Sequence, residues 1–268
     1  MIDEMADRLS RFRAEAASRD LPPDEVELWI RAALPAVFMA EGGDGPPVAR
    51  VGGDPMLPEG VPEPRWPFAA SVDLAALPPG GTDLPLPTDG HLLFFAAPEV
   101  GGLSGVVPDA VMYVPAGTPT VRRPLERSWR EPYQPRQLQT LWHQPCPPMD
   151  DSFAMDTWGD DPDDEQYELA DELGNAWTRV GGHRPPWVLQ IGGHAASPQF
   201  DPVHYARDSV TEEGEDGGEG VDDWALLASW RCGEDVTELD SGVVHWVIRR
   251  RDLAARRFDR VHRYVDMA

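Results

Sequence analysis

At 268 residues and 41% hydrophobic content, the chain can bury one large core or two fused halves. Its formal charge of −24 disfavours nucleic acid and anionic membranes, whose phosphates it would repel, and favours a basic partner. All 23 basic residues are arginine, and two cysteines, Cys146 and Cys232, make no disulfide framework.

Ile2, Met5, Leu9 and Phe12 recur at helical spacing and predict an amphipathic helix over 2–18. Asp24, after Pro22-Pro23, is expected to cap a second helix reaching Ala33, which Pro35 ends. Residues 36–40 read as a strand, and the Gly- and Pro-rich stretch 41–67 as an ordered loop packed by Trp66. Strands follow at 68–73, 91–97 and 110–115, and 117–150 reads as irregular. Residues 150–172 hold eleven acids and no arginine, with 167–173 helical. Residues 208–223 hold eight acids and read as a mobile loop, because they offer little apolar surface to bury. Strands resume at 224–231 and 243–248, after which Asp252 is expected to cap a short helix. Trp66, Trp187, Trp224 and Trp246 are expected to be buried.

These elements predict an α+β fold, mainly antiparallel sheet with N-terminal helices. The expected organisation is a single domain over 1–268: a helical segment 1–40, a first β-rich half 41–150, and a second half 151–268 with acidic loops. A weak repeat suggests a duplicated or two-lobed sheet. Asp73-Leu74-Ala75-Ala76 recurs as Asp252-Leu253-Ala254-Ala255, and Gly90-His91-Leu92-Leu93-Phe94-Phe95 as Gly242-Val243-Val244-His245-Trp246-Val247.

Two Gly-Gly blocks lead into Trp-containing apolar segments: Gly52-Gly53 before Trp66, and Gly181-Gly182 before Trp187. Glycine there reads as a tight turn where chains pass closely; neither block is a phosphate-binding loop. Gly52-Gly53-Asp54-Pro55-Met56-Leu57-Pro58, Trp66-Pro67, Gly90 to Phe95, Gly181-Gly182 with Gln190, Trp224 to Leu227, and Asp252-Leu253 with Phe258-Asp259 together resemble the YwqG-like family of uncharacterised bacterial proteins. The resemblance covers residues 25–265 and implies an α+β fold, a cytosolic protein and no established activity. The chain departs from that family at Ala70-Ser71 and at Ala228-Ser229-Trp230, where the family carries glutamine or acids.

Several residues are candidates for chemistry. His183, His194, Asp201 and His204 could hold zinc if their loops converged. Gly52, Gly53, Gly181, Gly182 and Trp187 are the candidate binding positions. Asp161, Asp163, Glu165 and Glu172 echo a calcium loop but lack its central glycine, so a solvated acidic face is expected. His143 with Cys146 is half a zinc site, and Cys232 sits in a predicted strand. No Gly-x-Ser-x-Gly elbow is present. The cluster Arg249, Arg250, Arg251, Arg256, Arg257, Arg260 and Arg263 is expected to pair with the acidic loops.

The resulting expectation is a cytoplasmic binding protein with no cofactor and no catalytic residues, partnered by a basic protein in the manner of an immunity protein. No nucleic-acid partner is expected, because the acidic charge repels phosphates, and no membrane partner, because no apolar run approaches the roughly 18 residues of a span. The alternative is a metal-dependent hydrolase using His183, His194, Asp201 and His204.

Overall fold

The computed structural model describes residues 2–43, 45–98, 105–126, 131–159, 161–181, 186–197, 199–212, 223–236 and 242–266. Two amphipathic helices open the chain, α1 (Ile2–Ser18) and α2 (Pro23–Ala32). They pack on two more from mid-chain, α3 (Asp150–Trp158) and α4 (Asp164–Gly181). Aromatic edges join the layer: Phe12 meets Trp177 at 5.1 Å and Trp29 meets Phe153 at 4.8 Å. Such pairs add to the burial of two large side chains. Pro22, not Asp24, is the N-cap of α2; Asp24 lies in the first turn, where its charge opposes the helix dipole's positive end.

The stretch read as an acidic calcium-loop echo starts α4. Asp163 accepts from the Gln166 backbone N–H while Gln166 Oε1 accepts from the Asp163 N–H, a reciprocal capping box. Leu173, Ala176 and Trp177 then bury one face of the helix. That apolar face carries the helix as far as Gly181, so Gly181 ends a helix instead of turning between strands.

The sheet has ten strands: β1 (Leu34–Ala40), β2 (Ala49–Val51), β4 (Phe68–Asp73), β5 (His91–Phe95), β6 (Val111–Val114), β8 (Arg136–Cys146), β9 (Leu189–Gly192), β10 (Trp224–Arg231), β11 (Val243–Arg249) and β12 (His262–Asp266). Their order is β12-β11-β10-β9-β1-β8-β2-β4-β5-β6, with every pairing antiparallel. A ribbon of β3 (Met56–Pro58) and β7 (Thr120–Arg122) stands apart. Two further helices are seen among the described residues, α5 (Pro202–Glu212) and the short α6 (Arg250–Ala254), for which Arg249, not Asp252, is the N-cap.

The sheet curls until its ends meet. Gly105 O accepts from Arg263 N–H at 3.2 Å, and Val107 N–H donates to Val261 O at 3.0 Å. One apolar core fills the curl, and in it Phe94 of β5 touches Trp246 of β11 at 5.0 Å. Trp66, Trp187, Trp224 and Trp246 are all buried, as expected.

Strand register exposes a duplication. One array is β8-β2-β4-β5-β6 and the other β1-β9-β10-β11-β12, joined at the β1–β8 pair. In the first, Gln137, Arg50, Ser71, Leu93 and Met112 form one cross-strand row. In the second, Phe38, Gln190, Ser229, His245 and Tyr264 form its counterpart. Both arrays carry a register shift at the same place, between Phe68 and Ala70 and between Leu226 and Ala228. The repeat therefore aligns Phe94 with Trp246, the two rings that meet in the core.

The glycine turns align as well, but the second is Gly192-Gly193, not Gly181-Gly182. Gly52 and Gly53 have φ of 66° and 69°, and Gly192 and Gly193 have 70° and 72°. This left-handed conformation favours glycine.

Elsewhere the structure differs from the sequence expectation where polar residues carry strands. The loop expected at 41–67 contains β2 and β3, and the irregular stretch 117–150 contains β7 and the eleven-residue β8. Central pairing to β1 and β2 overrides the weak local signal of Gln137, Gln139 and Pro145. Of the loop expected at 208–223, residues 208–212 continue α5, and 213–222 lie outside the described residues.

Candidate functional site

A cavity of about 800 Å3 lies between the helical layer and the second array. Leu28, Arg31 and Ala32 of α2 and Phe153, Asp156 and Thr157 of α3 form one wall. His194, Asp201, Val203 and His204, around the start of α5, and Trp224 to Leu226 of β10 form the other. Asp83 and Arg250 also line it and are paired at 2.6 Å.

A polar rack fixes these side chains. Gln190 Nε2 donates to Gly192 O and to His194 O, each at 2.8 Å, and Cys146 Sγ donates to His194 O at 3.3 Å. The His194 ring reaches the C-terminus of α2, with Nε2 2.8 Å from Ala32 O. Burial lowers the pKa of this imidazole, so it is neutral and Nε2–H donates. Asp201 precedes α5 and accepts from Val203 N–H at 2.8 Å through one oxygen and from Ser152 Oγ at 2.8 Å through the other. His204 Nε2 lies 3.2 Å from Asp156. Burial works against its charge, but the Asp156 hydrogen bond and the neighbouring Asp201 outweigh burial and raise its pKa.

Three of the four proposed zinc ligands, His194, Asp201 and His204, therefore meet at one cavity, while His183 lies outside the described residues. One ring nitrogen of each histidine is committed elsewhere, His194 Nε2 to a backbone carbonyl and His204 Nε2 to Asp156, and Asp201 is engaged by a hydroxyl and a backbone N–H, while His204 Nδ1 is buried with no hydrogen-bond partner among the described residues. Among the described residues no group of three or more His, Cys, Asp or Glu could hold a metal ion. Cys146 and Cys232 are both buried and are not joined in a disulfide.

The candidate binding positions that are described have different neighbours. Gly52 passes against the backbone of Tyr133 and Gln134, where an added Cβ would sit 2.3 Å from both carbonyl oxygens. Trp187 packs against Phe38 at 5.8 Å, and the Arg231 guanidinium lies 4.8 Å over its ring. Gly182 lies outside the described residues.

Three charged cavity residues went unread in the sequence, Arg31, Asp83 and Asp156, while Arg250 was read only as part of the arginine cluster. A signal existed for one of them, since Ser152 and Asp156 stand four apart and so share one face of α3.

Residues 49–266 match the family described as a domain of unknown function, DUF1963. The chain belongs to that family. No curated protein matches it. The DUF1963 match contains His194, Asp201 and His204, whereas α1, α2 and β1 precede it. The α2 wall of the cavity, with Leu28, Arg31 and Ala32, thus lies outside the matched span. Among the described residues no helix is long and apolar enough to cross a membrane.

Proposed function

We propose that this DUF1963 protein is a binding protein, and that the cavity between its helical layer and its second array holds a small molecule with an apolar body and a polar end. The single observation behind this reading is the cavity itself. Its volume of about 800 Å3 falls within the range of about 300–1,000 Å3 typical of small-molecule sites. Leu28, Phe153, Val203 and Leu226 offer apolar walls. Most of its polar side chains are held in place, Asp83 by Arg250, Asp156 by His204, His194 by Ala32 O, and Asp201 by Ser152 and the Val203 N–H, as binding specificity requires. Charge within the cavity is nearly balanced: Asp83 faces Arg250 and Asp156 faces His204, leaving Asp201 and Arg31. A polar ligand of low net charge suits that balance.

The test is a ligand-observed NMR fragment screen of the wild type against Thr157→Trp, a substitution that puts an indole at the cavity wall. Fragments that bind the wild type and are lost from the variant support the reading. Fragments that bind both equally overturn it.

A second reading concerns a macromolecular partner. Asp164, Glu165, Glu168 and Asp171 stand exposed along α4, beside Asp161 and Asp163. That face, in a chain of net charge −24, suits a basic protein in the cytoplasm, of which a toxin neutralised by an immunity protein is the concrete form. Association of this kind weakens steeply with salt. A pull-down whose basic partner persists at high salt, or binds Glu165→Arg/Glu168→Arg undiminished, counts against it.

A further inference from the structure

Trp224 separates the large cavity from a second, smaller one of about 220 Å3 at the turn between β11 and β12. This pocket inverts the charge of the chain. Among the described residues, Arg249, Arg251, Arg257 and Arg260 line it with one carboxylate, Asp252, in a protein whose net charge is −24. The seven arginines clustered near the end of the sequence divide here. Arg250 pairs with Asp83, Arg256 stacks on Tyr113 at 5.3 Å, and Arg263 is buried over Trp66 at 4.4 Å. The other four converge.

Their acidic neighbours lie at the pocket's edge, and Arg257 holds Asp259 with both Nε and Nη2, at 3.4 and 3.3 Å. Asp259 is 3.3 Å from Arg257 and 3.9 Å from Arg260, and Asp223 is 3.9 Å from Arg251. The pairs to Asp259 are exposed and of the kind that contributes about 0–1 kcal/mol and exchanges with a better acceptor, whereas Asp223 is only 22% exposed. Arg249 is different: it is only 7% exposed, and its guanidinium is fixed 5.0 Å over the Trp224 ring. His262 packs edge-on against the same indole at 4.9 Å. Burial, and then the charge of Arg249, push the His262 pKa down to about 4, so this ring feels a positive surrounding and presents a neutral imidazole.

We infer that this pocket binds a phosphate group, free or as a monoester, through the guanidinium forks of Arg249, Arg251, Arg257 and Arg260. The planar guanidinium matches phosphate oxygens in pairs, which an ammonium cannot do. Size selects the ligand: about 220 Å3 is below the usual range for a whole drug-sized molecule. A phosphate fits that volume, and any ester substituent projects outward past the exposed side chains of Arg251, Arg257 and Arg260. The negative field of the rest of the chain does not forbid this, because exposed charges beyond about 8–10 Å are screened at ordinary ionic strength. The site is separate from the large cavity and stands whatever occupies that cavity.

Isothermal titration of the whole protein with inorganic phosphate and with O-phosphoserine, at constant ionic strength, tests the site. The wild type should bind at one saturable site per chain. Arg257→Gln/Arg260→Gln should weaken binding by roughly tenfold or more with thermal unfolding unchanged, since both side chains are exposed. Arg251→Gln alone should show the same trend with a smaller loss. Tighter binding of phosphoserine identifies a monoester site, and tighter binding of phosphate a site for the free anion. No saturable binding of either ligand by the wild type, or equal affinity in the double variant, overturns the inference.

Discussion

Arg50 and Gln190 hold the same place in the two arrays, and they do the same work with different chemistry. Each donates to the carbonyl two residues on and to the carbonyl four residues on: Arg50 to Gly52 O and Asp54 O, Gln190 to Gly192 O and His194 O. The difference lies in what covers the row. In the first array Gln137 is exposed, and Arg50, Ser71, Leu93 and Gln137 line an open pocket of about 310 Å3. In the second, Gln190, Ser229 and His245 are fully buried. Beside them, Ala195, Val203 and Ala206 around α5 pack on Leu226, Val247 and Tyr264. A charged arginine is tolerated where water remains near, whereas the covered row uses the neutral amide of glutamine. The comparison teaches that the repeat preserves backbone restraint, while each copy's side chains follow its cover.

The largest effect should come from the place where the copies touch. Trp246→Ala and Phe94→Ala should each cost roughly 3–5 kcal/mol, read from denaturant midpoints. Their double-mutant cycle should give a coupling of about 0.5–1.5 kcal/mol. Full additivity would show that the two arrays do not share a core.

Next come the turns. Gly52→Ala drives a methyl into two backbone carbonyls, while Gly192→Ala first meets the Thr82 hydroxyl at 2.4 Å, a side chain that can rotate. Both add left-handed strain of about 1–2 kcal/mol. Gly52→Ala should therefore be the more damaging, at about 3 kcal/mol or more, and a reversed order would break the assigned asymmetry.

His245 stands where the first array has Leu93. Its Nδ1 is 2.8 Å from Ser229 Oγ, and its Nε2 has no hydrogen-bond partner among the described residues. Burial lowers its pKa to about 4, so the fold holds it neutral while the unfolded chain takes up a proton below the ordinary value of 6.5. Stability from this residue is present above pH 6.5 and is lost as pH falls toward 4, on the order of 2–3 kcal/mol in all. His245→Leu, which copies the first array, should flatten that acid limb. An unchanged profile would place the proton uptake elsewhere.

The helical layer should show the opposite sign at smaller size. Burial, then Asp171 and Asp151, raise the Asp150 pKa to about 6. The folded state thus binds this proton more tightly, and its contribution fades as pH rises from about 4 through 6. Above that window Asp150→Asn should stabilise the protein by about 1 kcal/mol, after allowance for solvent screening at a half-buried site.

The legibility of these features in the sequence follows their local physics. Tryptophans next to regular apolar runs announced β4, β10 and β11, and the pairing of Gly90–Phe95 with Gly242–Val247 fell in the true register of the duplication. The repeat of Arg50-Val51-Gly52-Gly53 as Gln190-Ile191-Gly192-Gly193 was masked by a competing Gly-Gly at 181–182 that happens to end a helix. The strand β8 was illegible because its glutamines and Pro145 are strand-poor, and only neighbours distant in sequence make it a strand. His194, Asp201 and His204 were readable as a group; their hydrogen-bond commitments were not, since Ala32, Ser152 and Asp156 reach them across the fold.

The exchange of strands between the arrays bears on how the chain matures. The array completed by residues 189–266 borrows β1, its one early strand, while the array of residues 49–114 is closed by β8. On a ribosome adding about 5–20 residues per second, Val37, Phe38 and Met39 would emerge on the order of ten seconds before β8 can pair with them. Phe12 and Trp29 wait likewise for Trp177 and Phe153. Nascent chains therefore display a sticky amino-terminal segment through most of translation, a natural client for holding chaperones. Assembly of the central pair of strands is deferred until the middle of the chain has appeared.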